Sequence, residues 1–266
     1  MKSVQQLMSL KGRTAVVTGG AGHLGLVLAD ALAESGADVV LWDASADVEK
    51  KAAQLARRRG VRVLGLTVDI TDEGDISSAV RIVDRKFRKV DILVHCAALV
   101  GTSSLDGWAV PFEKQSVVTW RKALEVNLTS VFTGTQQLLP LLKKSKAASV
   151  VNISSIYGIV GPDMGLYEGT KLGNPAAYAA SKGGLGQLSR WLATTLAPDI
   201  RVNTISLGGI FRGQKDPFLS RYAKRTPLRR MASEEDVKGA LIYMASDLSN
   251  YVTGHNLVVD GGWTAW

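Results

Sequence analysis

The chain has 266 residues, 46% of them apolar and 21% charged, with 27 glycines, 7 prolines and a formal charge of +8. This ordinary globular composition excludes a disordered, collagenous or coiled-coil chain, and the length suits one α/β domain, 1–266, with a large core. Cys96 is the only cysteine and the three histidines are scattered, so neither a disulfide framework nor metal-ligand spacing is available; with no apolar run long enough for a signal peptide or a span, a cytoplasmic protein without membrane contact is expected.

Short runs rich in Val, Ile and Leu alternate with longer stretches of helical period. The first strand is expected at Thr14–Thr18, the first long helix at Gly22–Ser35, then a strand at Asp38–Trp42 and a helix at Ala46–Arg59. Strands at Arg62–Val68 and Ile92–Cys96 bracket a helix at Asp72–Arg88, and a long helix spans Val117–Lys144. Strands follow at Ser149–Ile153, Arg201–Ile205 and Leu257–Val259, with helices at Tyr178–Ala197 and Glu234–Ser246 between them. Repeated βα units predict a Rossmann-like, doubly wound α/β fold: a seven-stranded parallel sheet with helices on both faces and ligands beyond the strands' carboxyl ends.

Behind the first strand, Gly20, Gly22 and Gly25 fit G-x-G-x-x-G at the opening of a helix, within Thr18-Gly19-Gly20-Ala21-Gly22-His23-Leu24-Gly25. In this reading Gly20 makes the tight turn, Gly22 lets the backbone approach a pyrophosphate, and Gly25 allows close helix–strand packing. Asp43 ends the second strand 18 residues after Gly25, where a carboxylate can accept from ribose hydroxyls. A 2′-phosphate about 4 Å from that carboxylate costs on the order of 4 kcal/mol at an effective dielectric of 20. With no Lys or Arg in Gly20–Gly25 or directly after Asp43, NAD is favoured over NADP.

Asn127, Ser155, and Tyr178 with Lys182 one helical turn later complete the set of chemistry-bearing residues. This combination resembles the short-chain dehydrogenase/reductase family in its single-domain branch. Asp69-Ile70-Thr71-Asp72, Arg201-Val202-Asn203, Val252-Thr253-Gly254 and Val259-Asp260-Gly261-Gly262 extend the resemblance over the whole chain. It implies that Tyr178 exchanges the substrate hydroxyl proton, Ser155 holds the reacting oxygen, Lys182 binds the nicotinamide ribose and assists Tyr178, and Asn127 supports a proton-relay water. Gly19, Gly20, Gly22, His23, Leu24, Gly25, Asp43, Asp69, Ile70, Ala97, Tyr178, Lys182, Gly208 and Ile210 are the implied cofactor contacts. A homotetramer through Val117–Lys144 and Tyr178–Ala197 is implied as well. A phenol useful as a base near pH 7 needs its pKa about 3 units down, roughly 4 kcal/mol, which an ammonium and an oxidised nicotinamide can both favour.

Tyr167 and Lys171 repeat the same spacing and lie nearer Ser155, but a helix begun at Tyr167 meets Gly173 and Pro175 within two turns. Tyr178 is therefore the expected base and 156–177 an enlarged loop over the site. Other positions depart from the family: His23 replaces a glycine, His95-Cys96-Ala97-Ala98 stands for the usual Asn-Asn-Ala-Gly, and Leu207 and Arg212 replace a proline and a threonine.

Segments 99–116 and 156–177 are long, and 207–232 carries Arg212, Lys215, Arg221, Lys224, Arg225, Arg229 and Arg230 against Asp216 alone, a net +6. Such a mouth suits a polar, anionic, sugar-derived alcohol such as a phosphorylated or nucleotide-linked sugar, and the loops are similar to members of flagellin-glycosylation sugar pathways. A solvated basic loop is the plain alternative. Nothing here resembles a nucleic-acid module, so none is expected as a partner. Reduction of a carrier-linked 3-oxoacyl group and a non-catalytic NAD-binding regulator remain as alternatives.

Overall fold

The computed structural model describes residues 1–101 and 103–266. Its strands are β1 (Thr14–Thr18), β2 (Asp38–Asp43), β3 (Val63–Thr67), β4 (Ile92–His95), β5 (Ala148–Ser155), β6 (Ile200–Leu207) and β7 (Asn256–Val259). They pair in parallel throughout in the order β3-β2-β1-β4-β5-β6-β7. The expected Rossmann-like sheet is therefore present, with β5 and β6 each running two residues further than expected, because their pairing continues to Ser155 opposite Leu207.

The helices are α1 (Val4–Met8), α2 (His23–Glu34), α3 (Val48–Arg59), α4 (Glu73–Phe87), α5 (Val117–Leu124), α6 (Ser130–Leu142), α7 (Ala176–Leu196), α8 (Phe218–Arg225) and α9 (Glu235–Ala245). Alternate side chains of each strand feed opposite layers. Val17, Leu41, Val94, Val151 and Ile205 pack with Leu28 and Leu32 of α2, Leu55 of α3 and Leu241 of α9. Val16, Val40, Leu93, Val150 and Val202 pack with Ile76 of α4, Leu138 of α6 and Leu192 of α7. Each fully buried Leu or Val contributes about 1.5–3 kcal/mol, and cover on both faces is why the strands read as unbroken apolar runs.

Two segments differ from the sequence expectation. The long helix 117–144 is interrupted between α5 and α6 by a π turn, Glu125–Thr129, which contains Asn127; such one-residue insertions leave no mark on hydrophobic spacing and recur at functional sites. Within 207–232 the chain forms α8, since Phe218 and Tyr222, one turn apart, are both buried while the intervening Ser220 remains exposed. β1 lies between β2 and β4, so the chain reverses its direction of travel across the sheet there, opening a crevice beyond the carboxyl ends of these strands.

Candidate active site

A cleft of about 920 Å³ occupies that crevice. Its wall includes Gly19, Gly22, His23, Leu24, Gly25, Asp43, Asp69, Ile70, Ala97, Gly208 and Ile210. The glycines divide their work differently from the motif reading. Gly19 makes the turn, at φ +66°, and a Cβ there would come within 2.8 Å of the Ala97 backbone. Gly20 is absent from the wall: it faces inward, where a Cβ would meet the Leu41 side chain at 2.9 Å. Gly25 packs on the loop itself, a Cβ there lying 2.0 Å from the Gly19 carbonyl oxygen, and Gly22 caps α2 with no side chain over the free N–H groups of its first turn. Asp43 accepts from Ala21 N and Ser45 N, both at 2.9 Å, so the carboxylate is held at the loop's edge. Lys51, eight residues on, donates to the Ala21 carbonyl at 2.7 Å, a nearby cation the sequence reading overlooked.

At the other end of the cleft, Ser155 closes β5 while Tyr178 and Lys182 come from the first two turns of α7. Burial raises the Tyr178 phenol, and hydrogen bonding with Ser155 opposes that shift, as does the charge of Arg212. Lys182 donates to the Ile153 carbonyl at 2.9 Å, its ammonium 5.9 Å from the Tyr178 ring centre, and burial lowers its pKa to about 8. Gly158 lets the turn after Ser155 approach this helix, since a Cβ would meet the Lys182 carbonyl group at 2.7 Å. Asn127 does not line the cleft with these three. Its Oδ1 accepts from Leu99 N at 2.7 Å, and its Nδ2 donates to Leu99 O and Ser181 Oγ at 3.0 and 3.1 Å. The side chain is thereby fully engaged in holding the Leu99 segment to α7.

The departures at the end of β4 have separate environments. His95 is buried, with Nε2 2.9 Å from Thr135 Oγ1, and burial holds it neutral with a pKa of about 3. Cys96 lines the cleft, its thiol pushed up by burial to about 11. Tyr167 stands apart from α7, its phenol 3.0 Å from that of Tyr157, and both line the cleft.

The cations of 207–232 are largely turned to other uses. Arg221 donates to the carbonyls of Gly165 and Glu168, at 3.2 and 2.6 Å. Arg225 lies 3.7 Å from Asp163 and over the Trp263 ring, and Arg230 makes a two-pronged pair with Asp236. Only Arg212 of the seven lines the main cleft, with Glu234 3.5 Å from its Nε.

A family model described as enoyl-(acyl carrier protein) reductase matches residues 20–264. The chain belongs to the short-chain dehydrogenase/reductase family. A sorbose reductase of Candida albicans is 32% identical over 267 residues, covering 98% of this chain and 90% of its own. A short-chain dehydrogenase from Leptospira borgpetersenii with bound NAD+ is 31% identical, with a TM-score of 0.85 over 99% of this chain and 96% of its own. A gluconate 5-dehydrogenase from Burkholderia cenocepacia, in complex with NADP and tartrate, is 27% identical, with a TM-score of 0.84 over 99% and 100%. The short-chain dehydrogenase/reductase fold thus places a nicotinamide-cofactor oxidoreductase on this chain.

The dimensions and chemistry of this family member's cleft fit such a cofactor: a side-chain-free anion cradle at α2, a carboxylate at one end, and an ammonium beside a phenol at the other. Sequence reasoning did not single out several residues of the substrate half, including Tyr157, Leu172, Asn174, Phe218 and Tyr222. Their only signal was position within long segments beside the sheet's carboxyl edge. Among the described residues, no helix is long and apolar enough to cross a membrane.

Proposed function

We propose that this protein is an NAD(H)-dependent oxidoreductase that interconverts a secondary alcohol and its ketone on a small, polar, sugar-derived substrate bearing an anionic group. The observation that carries it is the convergence of Ser155, Tyr178 and Lys182 at one end of a cleft whose other end holds Asp43. Ser155 donates to the reacting oxygen, and Tyr178, as phenolate, takes the carbinol proton. Lys182 has one N–H committed to Ile153 O, leaving two for ribose hydroxyls, and its charge favours the phenolate. Gly19, Gly22, His23, Leu24, Gly25, Asp69, Ile70, Ala97, Gly208 and Ile210 would hold the dinucleotide, with Gly20 shaping the turn behind it. Nicotinamide, when bound, accepts the hydride from the carbinol carbon. Asn127 serves a relay water through its main-chain carbonyl in the π turn, because its amide is already bonded.

Asp43 supports NAD, since a 2′-phosphate would face a carboxylate that already anchors two main-chain N–H groups. Lys51, bonded to Ala21 O, moderates this preference, because its ammonium lies on the same loop as the Asp43 carboxylate. The anionic group is read from Arg212 alone, which narrows it from a phosphorylated or nucleotide-linked sugar to one charge near the catalytic phenol. Sugar chemistry in the names of the sorbose reductase and gluconate 5-dehydrogenase relatives supports the same class. Exposed apolar side chains on α5 and α7, Val118 and Trp191 among them, support a homo-oligomer.

A second reading is reduction of a carrier-linked 3-oxoacyl group, which shares only its carrier-linked acyl substrate with the family model's description and for which Leu99, Val100, Leu172 and Phe218 offer an apolar wall. One assay separates the two: NADH absorbance with neutral polyols, sugar acids, sugar phosphates, nucleotide sugars and 3-hydroxyacyl thioesters, with Tyr178→Phe alongside. Turnover of sugar acids in preference to neutral polyols, with none of the thioesters, is the expected result; turnover confined to thioesters establishes the second reading.

A further inference from the structure

The substrate half of the cleft contains a polar group that neither the hydride chemistry nor the cofactor cradle uses. Both polar atoms of the Asn174 side-chain amide are shut from solvent and have no hydrogen-bond partner among the described residues. Leaving a buried donor or acceptor unmet is costly, so a native structure keeps such a group where something else meets it. Asn174 lies on the wall of the same cleft as Ser155 and Tyr178. It is fixed there by its neighbours: Gly173 fits against Ala109, and the Gly173 carbonyl lies so near Gly101 that a Cβ on Gly101 would approach it to 2.8 Å. Segments 99–116 and 156–177 therefore interlock beside the amide.

Next to it is the phenol pair Tyr157–Tyr167, hydroxyls 3.0 Å apart. In such a pair one O–H is spent on the other oxygen and the second remains to donate. Asn174 is close enough to Tyr167 to oppose the rise that burial imposes on that phenol, yet the contact lacks hydrogen-bond geometry and both amide atoms stay unmet. Tyr157, Tyr167 and Asn174 line the same cleft as Tyr178, so this polar cluster and the reacting end share one chamber.

We propose that Asn174, backed by the Tyr157–Tyr167 pair, is a specificity-determining residue that binds a second hydroxyl of the substrate, making this enzyme selective for diols and polyols over alcohols with a single hydroxyl. The amide presents N–H donors on Nδ2 and an acceptor on Oδ1, and a hydroxyl can answer both kinds. A carboxylate would match the N–H and leave the carbonyl facing a like charge; an alkyl group would match neither. The proposal rests on the alcohol–ketone reading above and adds the chemical class of the substrate. Sites built around a substrate hydroxyl discriminate strongly against analogues lacking it, because their own polar groups are then stranded.

The test uses the full-length enzyme with NADH bound, and cyclohexanol against the 1,2-, 1,3- and 1,4-cyclohexanediols as probes, read by calorimetric binding and separately by turnover with NAD. The expected result is that at least one diol binds about 10- to 100-fold tighter than cyclohexanol, that Asn174→Leu removes this advantage while leaving cyclohexanol and NADH affinities within about threefold, and that Asn174→Asp, which keeps only acceptors, removes part of it. A wild-type enzyme indifferent to the second hydroxyl overturns the proposal, and so does Asn174→Leu weakening cyclohexanol and diols equally. If the binding advantage appears and depends on Asn174 but no alcohol is oxidised, the hydroxyl site stands and the oxidoreductase reading falls. Turnover without an Asn174-dependent advantage removes the hydroxyl site and leaves the oxidoreductase reading in place.

Discussion

Lys182 Nζ donates to the Ile153 carbonyl at 2.9 Å from a fully enclosed position, and its ammonium stands 5.9 Å from the Tyr178 ring centre. β5 therefore fixes the height of the cation that α7 carries, one turn from the phenol. Burial brings the Lys182 pKa down from 10.5 to about 8. An unfolded chain keeps that proton to near the ordinary value, so from about pH 8 upward the unfolded state binds more protons at this site and stability rises with pH, by up to about 1.4 kcal/mol per unit. Below about pH 8 both states are protonated and the slope vanishes. Urea titrations of the cofactor-free enzyme and Lys182→Met between pH 7 and 10 should show wild type gaining on the variant only above about 8. A flat difference would mean that the ammonium is better solvated than its burial implies.

Tyr178→Phe should lower kcat by about 1,000-fold or more with NAD affinity within a few-fold, because general acid–base catalysis is worth about 100- to 10,000-fold and the ring itself is retained. Tyr167→Phe should leave kcat within about tenfold and act chiefly on KM. Steady-state kinetics with calorimetric NAD binding separates the two, and a Tyr167→Phe loss as deep as that of Tyr178→Phe would reverse the assignment.

Most of the frame that holds these residues is legible in the amino-acid sequence. Strands buried on both faces must be apolar throughout, so β1, β2 and β4 announce themselves, and the strand–glycine–helix succession locates the glycine-lined end of the cleft. Pro175 likewise separates Tyr178 from Tyr167, because no α-helix passes through Gly173 and Pro175 unbroken. What periodicity could not show are features one residue deep. The π turn at Asn127 leaves the apolar rhythm of 117–142 intact, and the inward aim of Gly20 depends on Leu41 from a neighbouring strand. Charge counting in 207–232 likewise leaves open which cations pair with neighbouring carbonyls and carboxylates and which face the cleft.

Asp43→Ser should reduce the NAD-over-NADP preference in kcat/KM by at least about tenfold. The carboxylate is fixed at that edge of the cleft by two main-chain N–H groups, and a like-charge contact at 4 Å costs about 4 kcal/mol at an effective dielectric of 20. Lys51 remains beside Ala21 in this variant and offers the added phosphate a cation, so Asp43→Ser with Lys51→Ala should recover less NADP activity than Asp43→Ser alone. An unchanged cofactor ratio would remove Asp43 from the adenosine end.

Asn127→Ala should destabilise the enzyme by about 2–4 kcal/mol in urea unfolding. It strands the Leu99 N–H and C=O together, each a part-buried group worth up to about 1–3 kcal/mol when unmet. Hydrogen exchange at Leu99 should accelerate along with it. Intact stability combined with lost activity would instead give the side chain a direct chemical role.

Arg221 and Arg225 hold segment 163–168 against α8, whereas Arg212 alone faces the cleft, so the three cations should fail in different ways. Charge reversal at Arg221 and Arg225 releases the segment carrying Tyr167 and should raise KM for neutral and anionic substrates alike. Arg212→Gln keeps the segment in place and removes one positive charge from the neighbourhood of the reacting phenol. Its KM should rise about tenfold or more for a sugar acid and stay within about twofold for the corresponding neutral polyol, an asymmetry that salt should weaken in wild type. Equal sensitivity of both substrates to Arg212→Gln would assign that residue to the cofactor or the loop, and would leave the sugar-acid preference without a source in this cleft.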